Sequence, residues 1–262
     1  MSPMQFRLAR DFVCVQGDDA ESYLQSQLSN QITGLAVRTA RSSLLLAPTG
    51  KLVAALRVTR FEDTVFILDT EQGFGEAVIA RLNRFKIRVK ADVSPLDWQC
   101  VALRGRGARA VAESLNRVPT DGLVVDAWWG GDDAVDLIGA SVADVEDVGA
   151  CNAAEFGALR VAAGWPLADV DFASGCIPAE TGLVGVAVSF TKGCYPGQEL
   201  VERMDSRAVT APHVLRLVDD ANYAAGDVVA DGVTVTSVGG GKAIVRAKRE
   251  SADIGSALGP VG

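Results

Sequence analysis

The sequence predicts an α+β fold, and three observations carry that prediction. Residues 6–207 mix β-like and helical segments without the regular strand–helix–strand repeat of a doubly wound sheet. After Pro212 the helical spacing stops, and HVLRLVDD, DVVADG, VTVTSVGG and KAIVRAK follow as short β-like runs divided by Gly and Asp. The length of 262 residues and the 48% hydrophobic content suffice for a sizeable core. The chain divides accordingly into an interwoven α+β module over residues 1–208 and a small all-β module over 209–262, too small to hold much chemistry alone.

The elements follow in order. FRLARDFVCV, residues 6–15, reads as one strand entering a turn at Gln16, Gly17 and Asp18. Asp18 or Asp19 can cap the next helix, in which Ala20, Tyr23, Leu24 and Leu28 keep helical spacing. Residues 43–46, 52–59 and 64–68 read as strands, the first two joined into a hairpin by Pro48, Thr49 and Gly50. Residues 75–85 are helical in pattern, with Ala77, Val78, Leu82 and Phe85 on one side, and Phe85, Ile87 and Val89 then alternate as a strand. Asn152 caps a helix, AAEFGALRVAAGWP, that stops at Gly164 just before Pro166. Phe156, Leu159, Val161 and Ala163 supply its buried side, leaving Arg160 to project elsewhere.

Composition excludes several classes of function. No apolar run approaches the ~18 residues of a membrane span, and the N-terminus lacks a secretory pattern, so a cytoplasmic protein without a membrane partner is expected. Five scattered cysteines and one histidine, with no C-x-x-C, argue against a disulfide framework and against a self-contained metal site. The net charge of −8 makes the chain a poor non-specific nucleic-acid binder. One stretch runs the other way: residues 81–109 carry eight cations and two acids, either a solvated charged surface or a patch for an acidic partner.

The segment SFTKGCYPGQELVERMDSR, residues 189–207, holds the candidate chemistry. An apolar run ends at Phe190, Gly193 turns the chain, and Pro196 fits the first turn of a new helix. Cys194 then stands just before a helix N-terminus with Lys192 two residues away. Free N–H groups and an ammonium both favour a thiolate, while Glu199 and Glu202 oppose it. The same N–H groups could hold a carboxylate or phosphate. The plain alternative is that Gly193 and Gly197 shape a tight turn and Cys194 is a small buried filler.

KGCYPGQE resembles the K-G-C-F/Y-x-G-Q-E motif of the YgfZ family, folate-binding relatives of the glycine-cleavage T-protein. VQGDDAESYLQSQLSNQI, APTGKLVAALRV, RLNRFKIRVKADV, LRVAAGWP and IPAETGL look like further elements of that family, in family order from residue 13 to about 207. The resemblance implies a T-protein-like multi-subdomain fold around a central cavity that accepts tetrahydrofolate or a one-carbon derivative, with a small C-terminal β-barrel. It implies a role in iron–sulfur cluster assembly or repair, with iron–sulfur client or assembly proteins as partners. Carried over, Lys192, Gly193, Cys194, Tyr195, Gly197, Gln198 and Glu199 form the functional motif, with Cys194 and Lys192 at its centre. Arg160, Glu180 and Lys51 become folate-pocket candidates. A guanidinium can pair with the folate glutamate tail and a carboxylate can accept from pterin N–H groups. Arg160 could instead bridge to the acidic stretch at Asp169 and Asp171.

The chain departs from the T-protein in its hairpin. There the enzyme carries a G-G-x-x-D-D-type sequence; here Ala54 and Ala55 stand where the carboxylates would be, with Lys51 at the rim. Alanine moves no proton, so aminomethyltransferase activity is not expected. The expected function is a tetrahydrofolate-binding accessory factor with a working thiol at Cys194. A folate-dependent one-carbon transferase or demethylase, and a folate-free scaffold using residues 81–109, are the alternatives.

Overall fold

The computed structural model describes residues 2–115, 122–206 and 211–258. The N-terminal run forms two strands, β1 (Met4–Arg7) and β2 (Arg10–Gln16), which enter different sheets. The expected single strand is thus broken at Leu8 and Ala9, where the chain crosses between layers. FVCV is apolar throughout because β2 is buried on both faces. Val13 and Val15 face one core, while Phe12 and Cys14 face another.

Helix α1 (Ala20–Gln27) follows β2, with Asp19 at its N-cap position. The Asp19 carboxylate makes no cap bond; its Oδ2 accepts from the backbone N–H of Lys90 at 2.8 Å instead. The hairpin of β3 (Ala40–Leu46) and β4 (Leu52–Glu62) forms as expected around Pro48, Thr49 and Gly50, and β4 continues antiparallel to β5 (Val65–Glu71). Helix α2 (Gly75–Arg84) buries Val78 and Leu82, but Ala77 is exposed and Arg81 is buried in its place. Arg81 Nε donates to the Leu46 carbonyl at 2.8 Å, which ties α2 to the hairpin. Residues 85–89 are not a strand. Arg88 has φ 56°, outside the β region, and Ile87 is exposed; the strand β6 (Asp92–Leu96) begins only after this turn. The first sheet is antiparallel, in the order β3-β4-β5-β2-β6, with α1 and α2 packed on one face.

Strands β7 (Gln99–Arg104), β8 (Leu123–Asp126), β9 (Val135–Gly139) and β10 (Gly149–Ala150), with helix α3 (Ala108–Ser114), build a second sheet in the order β10-β1-β7-β9-β8. It packs against the open face of the first through Phe12, Ile67, Cys100, Leu123 and Ile138. Between the sheets runs a buried chain of charges. Arg57 on β4 donates to Asp69 on β5 at 2.8 Å and to Asp136 on β9 at 2.7 Å; Arg10 completes Asp69 and Arg104 completes Asp136. Burial opposes ionisation of Asp136, but Arg104 and Arg57 outweigh it and hold its carboxyl at about 2.

Helix α4 (Ala153–Ala162) starts at the expected cap. Asn152 accepts from the Glu155 N–H and Glu155 reaches back to the Asn152 N–H, a complete capping box. After α4 come a 3-10 turn (Pro178–Glu180), the short α5 (Val184–Ala187) and α6 (Gln198–Ser206). The C-terminal module is an antiparallel sheet of β11 (His213–Asp219), β12 (Val228–Ala230), β13 (Val233–Gly239), β14 (Lys242–Lys248) and β15 (Ser256–Ala257), in the order β12-β13-β14-β11-β15. The β13–β14 turn lies directly on α4. A Cβ on Gly239 would stand 2.6 Å from the Ala158 Cα, which accounts for glycine at this close approach. The boundary read at 208/209 falls outside the described residues. Among the described residues no helix is long and apolar enough to cross a membrane.

Candidate functional site

The motif KGCYPGQE is a braced turn rather than a helix start. Tyr195, Pro196, Gly197 and Gln198 close a β-turn, with the Gln198 N–H donating to the Tyr195 carbonyl at 3.2 Å and Gly197 at φ 86°. Proline second and a positive-φ glycine third are what a type II turn demands. Pro196 therefore belongs to the turn, and α6 begins only at Gln198, four residues beyond Cys194.

This turn lies against the β3–β4 hairpin, backbone on backbone. A Cβ on Gly197 would meet the Ala47 carbonyl oxygen at 2.8 Å and the Gly50 Cα at 2.9 Å; one on Gly50 would meet the Leu200 side chain. The P-T-G-K and P-G-Q-E segments are thus two halves of one platform. Gln198 Oε1 accepts from the Tyr195 N–H at 3.2 Å, and the Tyr195 ring is sunk in the core with Leu46, Trp165 and Val201.

Lys192 has a different task from the one expected of it. Its ammonium is buried and donates to the backbone carbonyls of Gln25, Leu28 and Asn30 at between 2.5 and 3.1 Å. These carbonyls lie at and just beyond the C-terminus of α1, the end that a cation suits. Burial draws its pKa down to about 8. The charge expected to act on the thiol is thereby committed to α1, and the helix N-terminus expected beside Cys194 is displaced by the turn. Cys194 itself is exposed, not a buried filler.

Cys194 opens on a cleft of about 700 Å³ lined by Pro48, Thr49 and Gly50 on the hairpin and by Gln198, Glu199 and Glu202 on α6. Glu199 pairs with Arg203 one turn on, and Gln198 donates to Glu202. Lys51 is exposed next to this wall and Gly193 is exposed beside the thiol. The arrangement presents one accessible sulfur on a closely packed, hydrogen-bonded turn, bordered by polar side chains. The other four cysteines are buried or half-buried, and burial pushes the thiol of Cys176 up to about 12.

The remaining candidates lie elsewhere. Arg160 is buried and its Nη atoms donate to the Trp165 carbonyl, to Asp171 at 2.8 Å and to Ser237 on β13 at 2.8 Å. Its guanidinium is committed to protein acceptors, the salt bridge the sequence allowed, and clamps α4 to the C-terminal sheet instead of facing a ligand. Glu180 is half-buried, with Oε1 3.2 Å from Nδ1 of His213. Ala54 and Ala55 border a small cavity with Thr70, Phe74, Ala168 and Ser174, and the structure supplies there a carboxylate that the hairpin lacks: Glu71, from the neighbouring strand β5. Glu71 forms no salt bridge among the described residues and accepts only from the Ala168 N–H, at 3.2 and 3.4 Å. Burial raises its pKa to about 7 against that N–H bond and the more distant Arg10 and Arg160. The sequence signal was a second acid, two residues after Asp69, at the end of a strand that opens with the apolar run Val65 to Leu68. No three of His, Cys, Asp and Glu come together as a metal site among the described residues.

Comparison with known proteins places this geometry. The family model of the GCVT N-terminal domain matches residues 11–124. The tRNA-modifying protein YgfZ of Enterobacter sp. (strain 638) is 26% identical over 229 residues, covering 79% of this chain and 69% of its own. An uncharacterized protein of Haemophilus influenzae is 27% identical over 202 residues, covering 74% of this chain and 65% of its own, so the chain spans about two thirds of these relatives. The crystal structure of the glycine cleavage system aminomethyltransferase T from Bartonella henselae matches with a TM-score of 0.79 over 94% of this chain and 78% of that chain, at 20% identity. That likeness is one of fold. With the motif, the hairpin platform and the T-protein-like architecture in one chain, the protein is similar in sequence to YgfZ and shares the fold of the glycine-cleavage T-protein.

Proposed function

We propose that this chain is a tetrahydrofolate-binding accessory protein for the assembly or repair of iron–sulfur clusters, with Cys194 as its working thiol. The observation that carries the reading is the exposed sulfur on the braced turn, at the mouth of a cleft of about 700 Å³. That volume is in the range of small-molecule sites. The T-protein-like fold supports a folate ligand, and Glu180 offers a carboxylate to pterin N–H groups. The border of the cleft is more acidic than basic, with Glu199, Glu202 and Arg203, so the thiol faces a neutral or cationic group, or a partner protein, more readily than a folate carboxylate.

Calorimetric titration with tetrahydrofolate tests the ligand, and absence of binding at millimolar concentration rejects it. Complementation of a deletion strain tests the thiol: wild type restores the activity of iron–sulfur enzymes and Cys194→Ala does not. Full restoration by the alanine variant removes the thiol from the mechanism.

A second reading, a folate-dependent one-carbon transferase, is favoured by Glu71. A carboxyl with a pKa of about 7 beside Ala54 and Ala55 can move a proton where the hairpin cannot. Its test is turnover of a methylated amine donor with tetrahydrofolate, abolished in Glu71→Gln.

A further inference from the structure

A second cleft, of about 420 Å³, lies where the C-terminal sheet meets the loop of residues 169–173. Its wall is one face of that sheet. Along β13 and β14, Val233, Val235, Val245 and Ala247 point into the module's own core, so Thr234, Thr236, Arg246 and Lys248 share the opposite face. Strand register sets them side by side: Thr234 is paired with Arg246, and Lys248 with His213 on β11. Val170, 52% exposed, forms an apolar lip across from them.

The acids and the cations of this cleft are in opposite states. Asp171 is fully used: its oxygens accept from Arg160, the Leu167 N–H, Thr236 and Ser237. Asp169 accepts from both the N–H and the hydroxyl of Ser174 at 2.7 Å. Arg246 and Lys248 have no carboxylate partner among the described residues. Arg246 reaches only Nδ1 of His213, at 3.0 Å. A guanidinium carries donors only, so this contact requires Nδ1 to accept, which leaves the ring proton on Nε2. In the other tautomer Nδ1 donates to Glu180 and Arg246 loses its protein contact. The aliphatic stem of Lys248 lies over Gly232, 2.8 Å from where a Cβ would stand, which fixes the direction of the lysine.

A half-buried guanidinium, a lysine and a threonine row around a cavity, with both acids that line it, Asp169 and Asp171, already satisfied, form a recognition surface for negative oxygen atoms. We propose that this cleft binds a small molecule through a carboxylate or phosphate group, held by paired N–H donors of Arg246 and the charge of Lys248. The rest of the ligand lies along Val170 and the threonine wall. The cleft shares no lining residue with that of Cys194, so the site stands whether or not the proposed function does. Because its walls come from the loop of residues 169–173 and the C-terminal sheet, an occupant also fastens the two together.

The test is calorimetric titration of the whole chain with inorganic phosphate and, separately, with glutarate, at constant ionic strength so that general screening is unchanged. The expected result is saturable binding of at least one, with a dissociation constant of about 1 mM or tighter. Arg246→Gln weakens it about tenfold or more, the loss of hydrogen bonds to a charged group. Lys248→Gln weakens it severalfold, and Cys194→Ala leaves it unchanged. Binding of phosphate alone assigns a phosphate ester, and binding of glutarate alone assigns a carboxylate ligand. Lack of saturation by either anion overturns the proposal. So does unchanged affinity in Lys248→Gln, an exposed substitution that leaves the fold intact.

Discussion

Replacing Glu71 with Gln should stabilise this protein at alkaline pH, against the usual direction of a buried polar substitution. The Glu71 carboxyl is largely buried, meets one backbone N–H and has no salt bridge among the described residues, so burial dominates and raises its pKa from an ordinary 4.5 to about 7. A group that holds its proton more tightly when folded stabilises the fold relative to its ionised state. That contribution is fully present below the unfolded value and is lost as pH rises through the folded one. The window is therefore about pH 4.5 to 7. At about 1.4 kcal/mol for each tenfold change in proton affinity, the shift amounts to on the order of 3 kcal/mol lost across that window. Glutamine keeps the acceptor for the Ala168 N–H and carries no charge. Urea unfolding of wild type and variant at pH 5 and pH 8 measures the effect. The variant should gain about 2 to 3 kcal/mol on the wild type between those conditions, since other carboxylates are common to both and cancel. A change below about 0.5 kcal/mol, or a variant less stable at pH 8, would show that the carboxylate is solvated or paired and would refute the reasoning.

Four other outcomes follow from the geometry. Asp136→Asn strips the shared anion from Arg57 and Arg104 between the sheets, and thermal or denaturant unfolding should register a loss of about 3 to 5 kcal/mol. Lys192→Met uncovers three carbonyls at the end of α1 and should destabilise by about 2 to 3 kcal/mol, yet leave the alkylation rate of Cys194 within about twofold, because the ammonium serves the helix and not the thiol. Iodoacetamide labelling followed by peptide mass analysis should modify Cys194 first and the buried Cys14 and Cys100 only on unfolding; equal rates would contradict the exposure found here. Gly197→Ala forces a Cβ to 2.8 Å from the Ala47 carbonyl at a φ of 86° and should lower the unfolding midpoint by an amount on the order of 2 kcal/mol, with α6 and the hairpin the first segments to exchange amide hydrogens.

Signals that are local in sequence were legible. The Asn152 and Glu155 box, the Pro48 to Gly50 hairpin and the β-rich tail each depend on residues a few positions apart, and each forms as read. What failed depended on distant partners. Residues 6–15 read as one strand because nothing nearby reveals that Met4 to Arg7 pairs with β7 while Arg10 to Gln16 pairs with β5. Lys192 read as a neighbour of Cys194 because they are two residues apart, but a four-carbon stem takes its charge to whatever acceptors the fold brings near. Those acceptors come from residues 25 to 30. Glu71 was hidden for the same reason: the hairpin carries alanines at Ala54 and Ala55, and the carboxylate beside them arrives from the next strand.

The order of residues in KGCYPGQE can now be given a physical account. Lys192 fastens α1, Tyr195 anchors the segment in the core, Pro196 and Gly197 set the turn, and Gln198 ties the turn to itself. Those five residues are braces: Lys192 ties the segment to α1, and the turn at Gly197 seats it on the Gly50 hairpin. Cys194 makes no hydrogen bond among the described residues, and its exposure has no structural purpose, since an exposed thiol adds nothing to a core. A buried lysine, a buried tyrosine and the close-packed Gly197 flank one exposed sulfur, and the role proposed for Cys194 rests on that arrangement. Glu71 stands apart from these braces: a largely buried carboxyl with no salt bridge among the described residues lowers stability at neutral pH, a cost of the kind that accompanies functional sites.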